Sequence, residues 1–519
     1  MVRFKHFKHF AARTAAAALS AVLLMSAGGA GNISAHALGR TPLGMVVTGN
    51  GGIVANYPEL VKLLSTALLE HRETIDISSY GFTYSVENFT ELIEEVRAAV
   101  PEAFFVKGFS CAIGGGDKML KIVPIYNADL TASRSMLAEF EKACDHYLEI
   151  VKHDLPDGDD LSKALYLHDL LAFDFTYESF GDRDPNYGAY EVLVKKTGSC
   201  YCYSRAYVYL LGQLGIPSEI VSSDEMNHEW VKVKIGDRYY NVDLTWDDTA
   251  AVNGKGYTFF LLSDDRIRLT FPAGAHTGFS SITASDTRFD MKRYHDFTVP
   301  ICFADGKMYT VYDNALVRYD IDSDGMESLV DLSEYRWYIG GGSRYWIGCF
   351  SGVCSAGGRL FYNTPDEVFM YDPKENVSLP LMKRESGDAF YGMRAVGNKV
   401  YVVTRRDPTS APAFTEIGDV CTVSFVTGTP EKVGRQAVIS GDKLTQPPDP
   451  VREGYEFTGW KLGGKDYDFS EPVREDIVLR AGWRSLTPHL TEEDLAACAA
   501  AGVNIARSVR TDVICRLPI

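Results

Sequence analysis

Positive charge, long apolar runs and metal-binding motifs are scarce in this chain of 519 residues. With 52 Lys and Arg against 69 Asp and Glu, the net charge is −17, which argues against nucleic acid and anionic membrane surfaces as partners. After the N-terminal region, no apolar stretch reaches the ~20 residues that a transmembrane helix needs. HExxH and paired CxxC motifs are absent. We therefore expect no metal, no cofactor and no transmembrane segment in the mature chain.

The N-terminus has the pattern of an export signal. Basic residues precede an apolar run, Ala15–Ala27, and Ala35-His36-Ala37 offers a small-x-small cleavage site. Residues 1–37 are therefore predicted to be a signal peptide, and the mature protein is expected to be secreted or at the cell surface. The ten cysteines are scattered, which is not the pattern of a disulfide-stapled scaffold.

One cysteine is predicted to open a helix. The turn Thr197-Gly198-Ser199 leads into a run with apolar residues at three- and four-residue spacing, which predicts a helix from Cys200 to about Leu214. Gly215 is a suitable residue to end it. Unpaired backbone N–H groups and the positive end of the helix dipole favour a thiolate at Cys200.

A hairpin is predicted to supply a histidine and an aspartate. Gly236-Asp237 separates two strand-like runs, His228–Ile235 and Arg238–Thr245. In this register His228 and Asp243 are diagonal neighbours on one face, with Cβ atoms roughly 7 Å apart or less. A cysteine at a helix start combined with a His/Asp pair on one face is typical of nucleophilic acyl transfer.

These residues also carry a family resemblance. The segments GSCYCYSRAYVYLLGQLGIPSEIV, NHEW and YYNVDLTWDD resemble the core of the transglutaminase-like superfamily, whose members share a papain-like Cys-His-Asp fold. The resemblance covers about residues 159–248. It implies that Cys200 is the nucleophile, His228 the base and Asp243 the residue that orients the base. Cys202 stands where many members have glycine, which leaves a second thiol two residues from the nucleophile.

Further side chains are candidates for the pocket around this site. They are Tyr177, Cys202, Trp230 and Trp246. The tryptophans flank the His and the Asp, where buried aromatic rings commonly exclude water, although plain core packing explains them equally well. Asp247 and Asp248 are expected to be replaceable with little loss of activity. If the strand continues past Asp243, Asp247 lies on the same face of it as Asp243.

A second pair, His168 and Asp169, lies upstream on the predicted helix Leu161–Phe173. We expect it to be a pair on the helix surface that supports the cysteine helix. Its place in the sequence, near the proposed site, is the reason for naming it.

The rest of the chain predicts a multidomain α+β protein. Residues 38–155 are expected to form a small α/β domain, 156–292 the papain-like transglutaminase core, and 293–419 β-rich blade-like units. Three similar turn-then-strand starts lie at Gly306, Gly358 and Asn398, and three units are too few to close a propeller ring. The tail, 485–519, has no readable role.

Residues 420–484 have a second resemblance. The motifs GYEFTGW and AGW, near Trp460 and Trp483, resemble those of a Listeria–Bacteroides repeat, a small β-grasp-like module of bacterial surface proteins. Family members typically act as spacers or adhesive modules. The resemblance implies that the C-terminal β modules contact cell-wall or extracellular components.

Three functions fit the sequence. The first is an exported thiol enzyme that forms an acyl-enzyme at Cys200 on peptide or glutamine-type amide substrates, with either an amine or water as acceptor. The second is a cysteine peptidase that acts on cell-envelope or extracellular peptides with the same residues. The third is a non-catalytic surface-binding protein that uses the β-rich C-terminal half.

Overall fold

The computed structural model describes most of the chain after residue 56. The described residues are 57–178, 188–223, 225–248, 256–270, 276–277, 280, 282–339, 343–384, 387–396, 399–486 and 492–501. The predicted signal peptide lies outside these residues, as does most of the 485–519 tail. Within the described part, no helix is long and apolar enough to cross a membrane.

The first unit is a small α/β layer. Its elements are α1 (Pro58–Leu69), β1 (Ile75–Asp76), α2 (Val86–Ala99), β2 (Val106–Ile113) and β3 (Met119–Tyr126). The strands form an antiparallel sheet in the order β1-β3-β2. Apolar residues of both helices, including Leu64 and Val96, are buried in one cluster with Ile122 of the sheet. Gly116, at φ 70°, allows the turn between β2 and β3.

The long helix α3 (Leu130–Asp154) leads into the second unit. Asp129 caps it by accepting a hydrogen bond from the Ala132 N–H group at 2.8 Å. Its buried residues, among them Phe140 and Val151, join the hydrophobic cluster of the unit that follows. The helix therefore packs as part of that second unit.

The second unit combines helices with one antiparallel sheet. Its elements are α4 (Asp160–Asp174), β4 (Thr176–Tyr177), α5 (Ala189–Lys195), β5 (Thr197–Gly198), α6 (Cys200–Gln213), β6 (Ser218–Ser223), β7 (His228–Ile235), β8 (Arg238–Val242), α7 (Leu244–Asp247), β9 (Phe260–Leu262) and α8 (Asp264–Leu269). The sheet order is β6-β7-β8-β9. Helix α6 packs against this sheet through β6 and β7. The prediction that a helix begins at Cys200 is confirmed.

The predicted hairpin is also confirmed. Ile235 pairs with Arg238, and Val231 pairs with Val242. Strand β8 ends one residue before Asp243, because the Asp243 N–H group donates to the Phe259 carbonyl instead of continuing the hairpin. The chain then turns into α7, so the predicted extension of the strand to residue 245 is wrong.

The β-rich half contains three antiparallel sheets in succession and a short hairpin. The strands of the first sheet are β10 (Cys302–Ala304), β11 (Lys307–Tyr312), β12 (Ala315–Asp320) and β13 (Gly325–Asp331), and those of the hairpin are β14 (Trp337–Tyr338) and β15 (Tyr345–Trp346). The second sheet holds β16 (Val353–Ala356), β17 (Arg359–Asn363), β18 (Glu367–Asp372) and β19 (Val377–Lys383), and the third holds β20 (Ala389–Val396), β21 (Lys399–Arg405) and β22 (Ala413–Glu416). Strands β11, β17 and β21, which follow the three repeated starts, are each the second strand of a sheet.

The last sheet has mixed strand directions. Its strands are β23 (Val420–Val426), β24 (Gln436–Ile439), β25 (Tyr455–Leu462), β26 (Lys465–Asp466) and β27 (Ile477–Ser485). They lie in the order β24-β23-β27-β25-β26, with β23 and β27 parallel. Arg359 of the second sheet reaches Asp476 at 2.6 Å, and Arg435 pairs with Asp372. The module therefore contacts the preceding β unit. Helix α9 (Glu492–Ala500) follows it.

Candidate active site

Cys200 is the first residue of α6 and is half-buried. The carbonyl of Ser199, the residue before it, accepts hydrogen bonds from the N–H groups of Cys202 at 2.9 Å and Tyr203 at 3.1 Å. The first N–H groups of a helix have no partner within the helix. Cys200 thus lies at the positive end of the α6 dipole.

Gly198 allows this helix to start where it does. A Cβ atom at residue 198 would lie 2.4 Å from Val192 Cγ1 and 2.7 Å from Cys202 Cβ. Such distances are far below van der Waals contact, so a side chain here would push α5 and α6 apart. The glycine of the sequence motif is therefore required by close packing directly before the cysteine.

The helix is tied to the strand that carries the histidine. Arg205 of α6 forms an ion pair with Glu229, the residue after His228. Ser204 donates a hydrogen bond to the Glu229 carbonyl oxygen at 3.1 Å. These contacts fix the start of α6 against β7 at the level of His228.

His228 and Asp243 form a buried pair. The Nε2–H group of His228 donates to Oδ2 of Asp243 at 2.7 Å, and Asp243 is fully buried. The other oxygen, Oδ1, accepts from the Trp246 N–H group at 3.1 Å, so Asp243 also caps α7. Since Nε2 is bonded to Asp243, Nδ1 is the ring nitrogen left to face Cys200.

The two groups stabilise each other's charged forms. Burial alone would lower the pKa of His228, but the Asp243 charge and hydrogen bonds to Asp243 and Cys200 outweigh it and raise this pKa above its ordinary value. Burial would likewise raise the pKa of Asp243. The imidazole of His228, with a further hydrogen bond from His276, outweighs that effect and lowers the Asp243 pKa. An imidazolium–carboxylate pair is thereby favoured.

His276 is a contact that the sequence motifs do not predict. Its Nε2–H group donates to the same Oδ2 atom of Asp243 at 2.9 Å. Its ring is buried among Trp230, Trp246 and Phe259, with centroid distances of 4.9, 4.5 and 5.3 Å. A histidine 33 residues after Asp243, outside any helix or strand, gives no periodic signal in the sequence.

The three groups His228, Asp243 and His276 have potential ligand atoms within 4.8 Å of one another. Three converging ligands are therefore present where the sequence motifs indicated none. The separations of 2.7 and 2.9 Å between each ring nitrogen and the shared Oδ2 are ordinary lengths for N–H···O hydrogen bonds. A proton on Nε2 of His228 and another on Nε2 of His276 therefore account for both short separations.

Cys202 has a different environment from Cys200. Its side chain is fully buried in the hydrophobic cluster of the second unit. Burial raises the pKa of its thiol to about 11, which disfavours a thiolate. The expectation that Cys202 lines the pocket does not fit this placement, because two residues along α6 are a rotation of about 200°, which directs Cys202 into the core.

The three predicted aromatic residues lie around the candidate site. Tyr177 is about half exposed (49%), and the parallel pairing of β4 with β5 brings it beside the start of α6. Trp246 lies 5.5 Å from the His228 ring, between centroids. Trp230 is buried and donates through Nε1 to Asn241 Oδ1 at 3.0 Å, so it belongs to the packed wall behind His228.

A second buried network lies beneath Asp243. Asp247 Oδ2 lies 3.3 Å from His168 Nε2, and the Nδ1 atom of His168 lies 3.0 Å from Asp169 Oδ1. Tyr257 donates its hydroxyl to Asp169 Oδ2 at 2.5 Å. His168 is fully buried, so the expectation of a helix-surface pair is wrong.

Asp247 also differs from its predicted position on a strand face. It is the last residue of α7, and its Oδ1 atom accepts from the Phe259 N–H group at 2.9 Å. Phe259 in turn accepts from Asp243, at 3.0 Å between carbonyl oxygen and amide nitrogen. Asp247 therefore supports the backbone at Asp243, and the expectation that it is freely replaceable does not fit its burial.

A helix that begins at Cys200 thus packs on the antiparallel sheet that bears His228, and Asp243 directly follows the third strand of that sheet. In agreement, residues 151–244 match the family model of the transglutaminase-like superfamily. Residues 422–482 match that of the Listeria-Bacteroides repeat domain. Both families recognised from the sequence motifs are confirmed. No curated protein matches the chain.

Three solved structures resemble part of the chain. A TGase is 14% identical over 28% of this chain and 45% of its own, with a TM-score of 0.19. A protein of Cytophaga hutchinsonii assigned as a cysteine protease is 12% identical, and the match covers 27% of this chain and 61% of the other, with a TM-score of 0.17. The periplasmic domain of TgpA from Pseudomonas aeruginosa, bound to ethylmercury, is 16% identical over 26% and 58%, also with a TM-score of 0.17. The chain thus spans about half the length of these proteins, and similarities this low say nothing about its activity.

Proposed function

We propose that this protein is an exported thiol enzyme that forms an acyl-enzyme at Cys200 on peptide or glutamine-type amide substrates. The observation that carries the proposal is the buried 2.7 Å hydrogen bond from His228 to Asp243, made beside a cysteine at a helix start. The match of residues 151–244 to the transglutaminase-like superfamily supports a cysteine enzyme. Cys200 is the nucleophile, His228 the base and Asp243 the orienting residue.

The first half of the reaction consumes the amide. The Cys200 thiolate attacks the carbonyl carbon, a C–S bond forms, and the carbonyl oxygen becomes an oxyanion. The His228 imidazolium then gives its proton to the departing nitrogen as the C–N bond breaks. Ammonia leaves from a glutamine side chain, or an amine leaves from a peptide bond. The product on the enzyme is a thioester.

The second half regenerates the thiol. Neutral His228 accepts a proton from an amine or from water as that acceptor attacks the thioester carbonyl. The C–S bond breaks and the thiolate–imidazolium pair is restored. In this proposal, backbone N–H groups at the start of α6 stabilise the oxyanion in both halves. An amine acceptor gives cross-linking, whereas water gives hydrolysis by a cysteine peptidase or deamidase.

The test uses a peptide that contains glutamine together with a primary amine donor. Mass spectrometry of the products distinguishes transfer, deamidation and peptide-bond cleavage. We expect wild-type protein to form one of these products and Cys200→Ala to form none. Cys202→Ala is the matched control, because it removes a thiol from the same helix and should retain most activity. Equal activity in Cys200→Ala and wild type would refute the proposal.

Three exposed tyrosine side chains in the β-rich half support the surface-binding alternative. Tyr335, Tyr338 and Tyr345 are 41%, 55% and 46% exposed, and the last two rings are 6.0 Å apart. Such rings on the β14–β15 hairpin are suitable for contact with extracellular glycans or peptides. Trp337, which also lies there, is fully buried and packs in the core. We propose binding as an accessory function, tested by pull-down with cell-wall material and a variant in which the two hairpin tyrosines are serine.

A further inference from the structure

Among the described residues, the buried side chain of His276 has one hydrogen-bond partner and is otherwise surrounded by aromatic rings. Its Nε2–H group donates to Asp243 Oδ2, while its Nδ1 atom has no hydrogen-bond partner among the described residues. The surrounding rings are those of Trp230, Trp246 and Phe259. An apolar ring would fill this space without leaving a buried nitrogen unpaired, which costs free energy. Packing alone therefore does not explain a histidine here.

The residue after His276 is anchored at the level of His228. Thr277 donates its hydroxyl to Glu225 Oε2 at 3.1 Å, and its oxygen lies 3.2 Å from Ser223 Oγ. Ser223 is paired directly with His228 between β6 and β7. Thr277 is thus held beside β6, which places His276 where it reaches the Asp243 carboxylate that also contacts His228.

We propose that His276 is a positioning residue of this site, whose Nε2–H group holds the Asp243 carboxylate in the orientation that His228 needs. The inference rests on the proposed function of Cys200, His228 and Asp243. During the reaction His228 alternates between imidazolium and imidazole, whereas the Asp243 charge stays buried. His276 adds a third N–H donor beside His228 and the Trp246 backbone, and it offsets the buried negative charge of Asp243 when His228 is neutral.

A consequence for pH dependence follows. The ionisable groups facing Asp243 are His228, His276, Asp247, Tyr177 and, through His228, Cys200. Because the His276 hydrogen bond favours the ionised form of Asp243, its loss should raise the pKa of that carboxyl group. As the solution is acidified, Asp243 should then become protonated at a higher pH than in the wild type. The acid limb of the pH profile should therefore shift to higher pH.

The experiment compares His276→Phe, which fits an aromatic pocket but has no N–H group, with His276→Gln, which retains a donor. For His276→Phe we expect kcat to fall about tenfold with KM unchanged, and the acid limb to rise by about one pH unit, the effect of one lost charge-assisted hydrogen bond. His276→Gln should restore most of both. Thr277→Val is the control, since it loosens the segment without removing the donor and should leave the acid limb in place.

Several outcomes would overturn the inference. One is an unchanged acid limb in folded His276→Phe, or in His276→Leu if the first variant does not fold. Another is an equal shift in Thr277→Val, which would indicate a merely structural role. Loss of activity with EDTA and recovery with Zn²⁺ would show that the three groups bind a metal instead.

A readout independent of turnover separates this inference from the proposed function. If the wild-type protein has no activity, the proposed function fails, but NMR still reports the low-field N–H proton shared by His228 and Asp243. We expect this signal to shift and broaden in His276→Phe. An unchanged signal would refute the positioning role.

Discussion

Replacing Asp243 by asparagine tests the proposed site most directly, because the structure restricts how the amide can fit. Oδ2 of Asp243 faces two imidazole N–H groups, and Oδ1 faces the Trp246 N–H group. An amide carries one acceptor and one donor. If its oxygen faces the imidazoles, its NH₂ group opposes the Trp246 N–H group; the reverse orientation opposes two donors. We therefore expect the first orientation, with loss of the cap on α7.

The two consequences differ greatly in size. A lost helix cap costs about 1 kcal/mol of unfolding free energy, so the variant should fold. Loss of the charge removes the main attraction that keeps His228 protonated, so the His228 pKa should fall and the thiolate–imidazolium pair should be depopulated at neutral pH. In a serine protease triad the same change costs about 10⁴-fold in turnover. We expect a loss of about 10²- to 10⁴-fold here, because one oxygen still accepts from both imidazoles.

The assay is turnover of the glutamine peptide together with the rate of alkylation of Cys200 by iodoacetamide across pH, with urea unfolding to confirm the fold. Asp248→Asn is the matched control, since Asp248 accepts from the Tyr203 hydroxyl at 2.6 Å and lies outside the pair. It should retain most activity. If Asp243→Asn keeps half of the wild-type rate, the site is a Cys-His dyad and the assignment of Asp243 is wrong.

Three further predictions concern the surroundings of the pair. Iodoacetamide should alkylate Cys200 at neutral pH and leave the buried Cys202 unmodified in native protein, as peptide mass spectrometry would reveal; faster labelling of Cys202 would contradict the assignment. Gly198→Ala should destabilise the fold by about 1–3 kcal/mol in urea unfolding, because its Cβ would lie 2.7 Å from that of Cys202; wild-type stability would show that α6 can shift freely. Asp247→Ala should cost about 1–3 kcal/mol, since it removes the acceptor of the buried Phe259 N–H group and one of the two carboxylates beside His168, and unchanged stability would show that these contacts are dispensable.

The parts of the site that could be predicted from sequence are those set by local rules. Helix α6 could be predicted because the turn before it, its apolar residues at three- and four-residue spacing and the glycine after it all lie between Thr197 and Gly215. The register of the hairpin follows from one two-residue turn, which fixes every pair from Ile235 and Arg238 to Val231 and Val242. Both features depend on neighbours in sequence, so periodicity was sufficient to find them.

The parts that were missed depend on distant contacts. Strand β8 ends because Asp243 finds a partner in Phe259, which belongs to a different segment. His168 lies on a helix with buried residues on several faces. The spacing of apolar residues in the sequence therefore could not show whether position 168 is in the core or at the surface. His276, which belongs to no helix or strand, reaches Asp243 from 33 residues further along the chain. Contacts of this kind require the tertiary fold.

The unequal burial of Cys200 and Cys202 has a consequence for oxidation. A sulfenic acid on an exposed cysteine is commonly rescued by a nearby resolving thiol, which condenses with it to a disulfide. Cys202 is close in sequence, yet it is enclosed in the hydrophobic core with a raised thiol pKa. It is therefore a poor resolving thiol. Peroxide that reaches Cys200 should therefore oxidise it past sulfenic acid to sulfinic acid unless an external thiol intervenes, because Cys202 cannot reach that sulfur to form a disulfide.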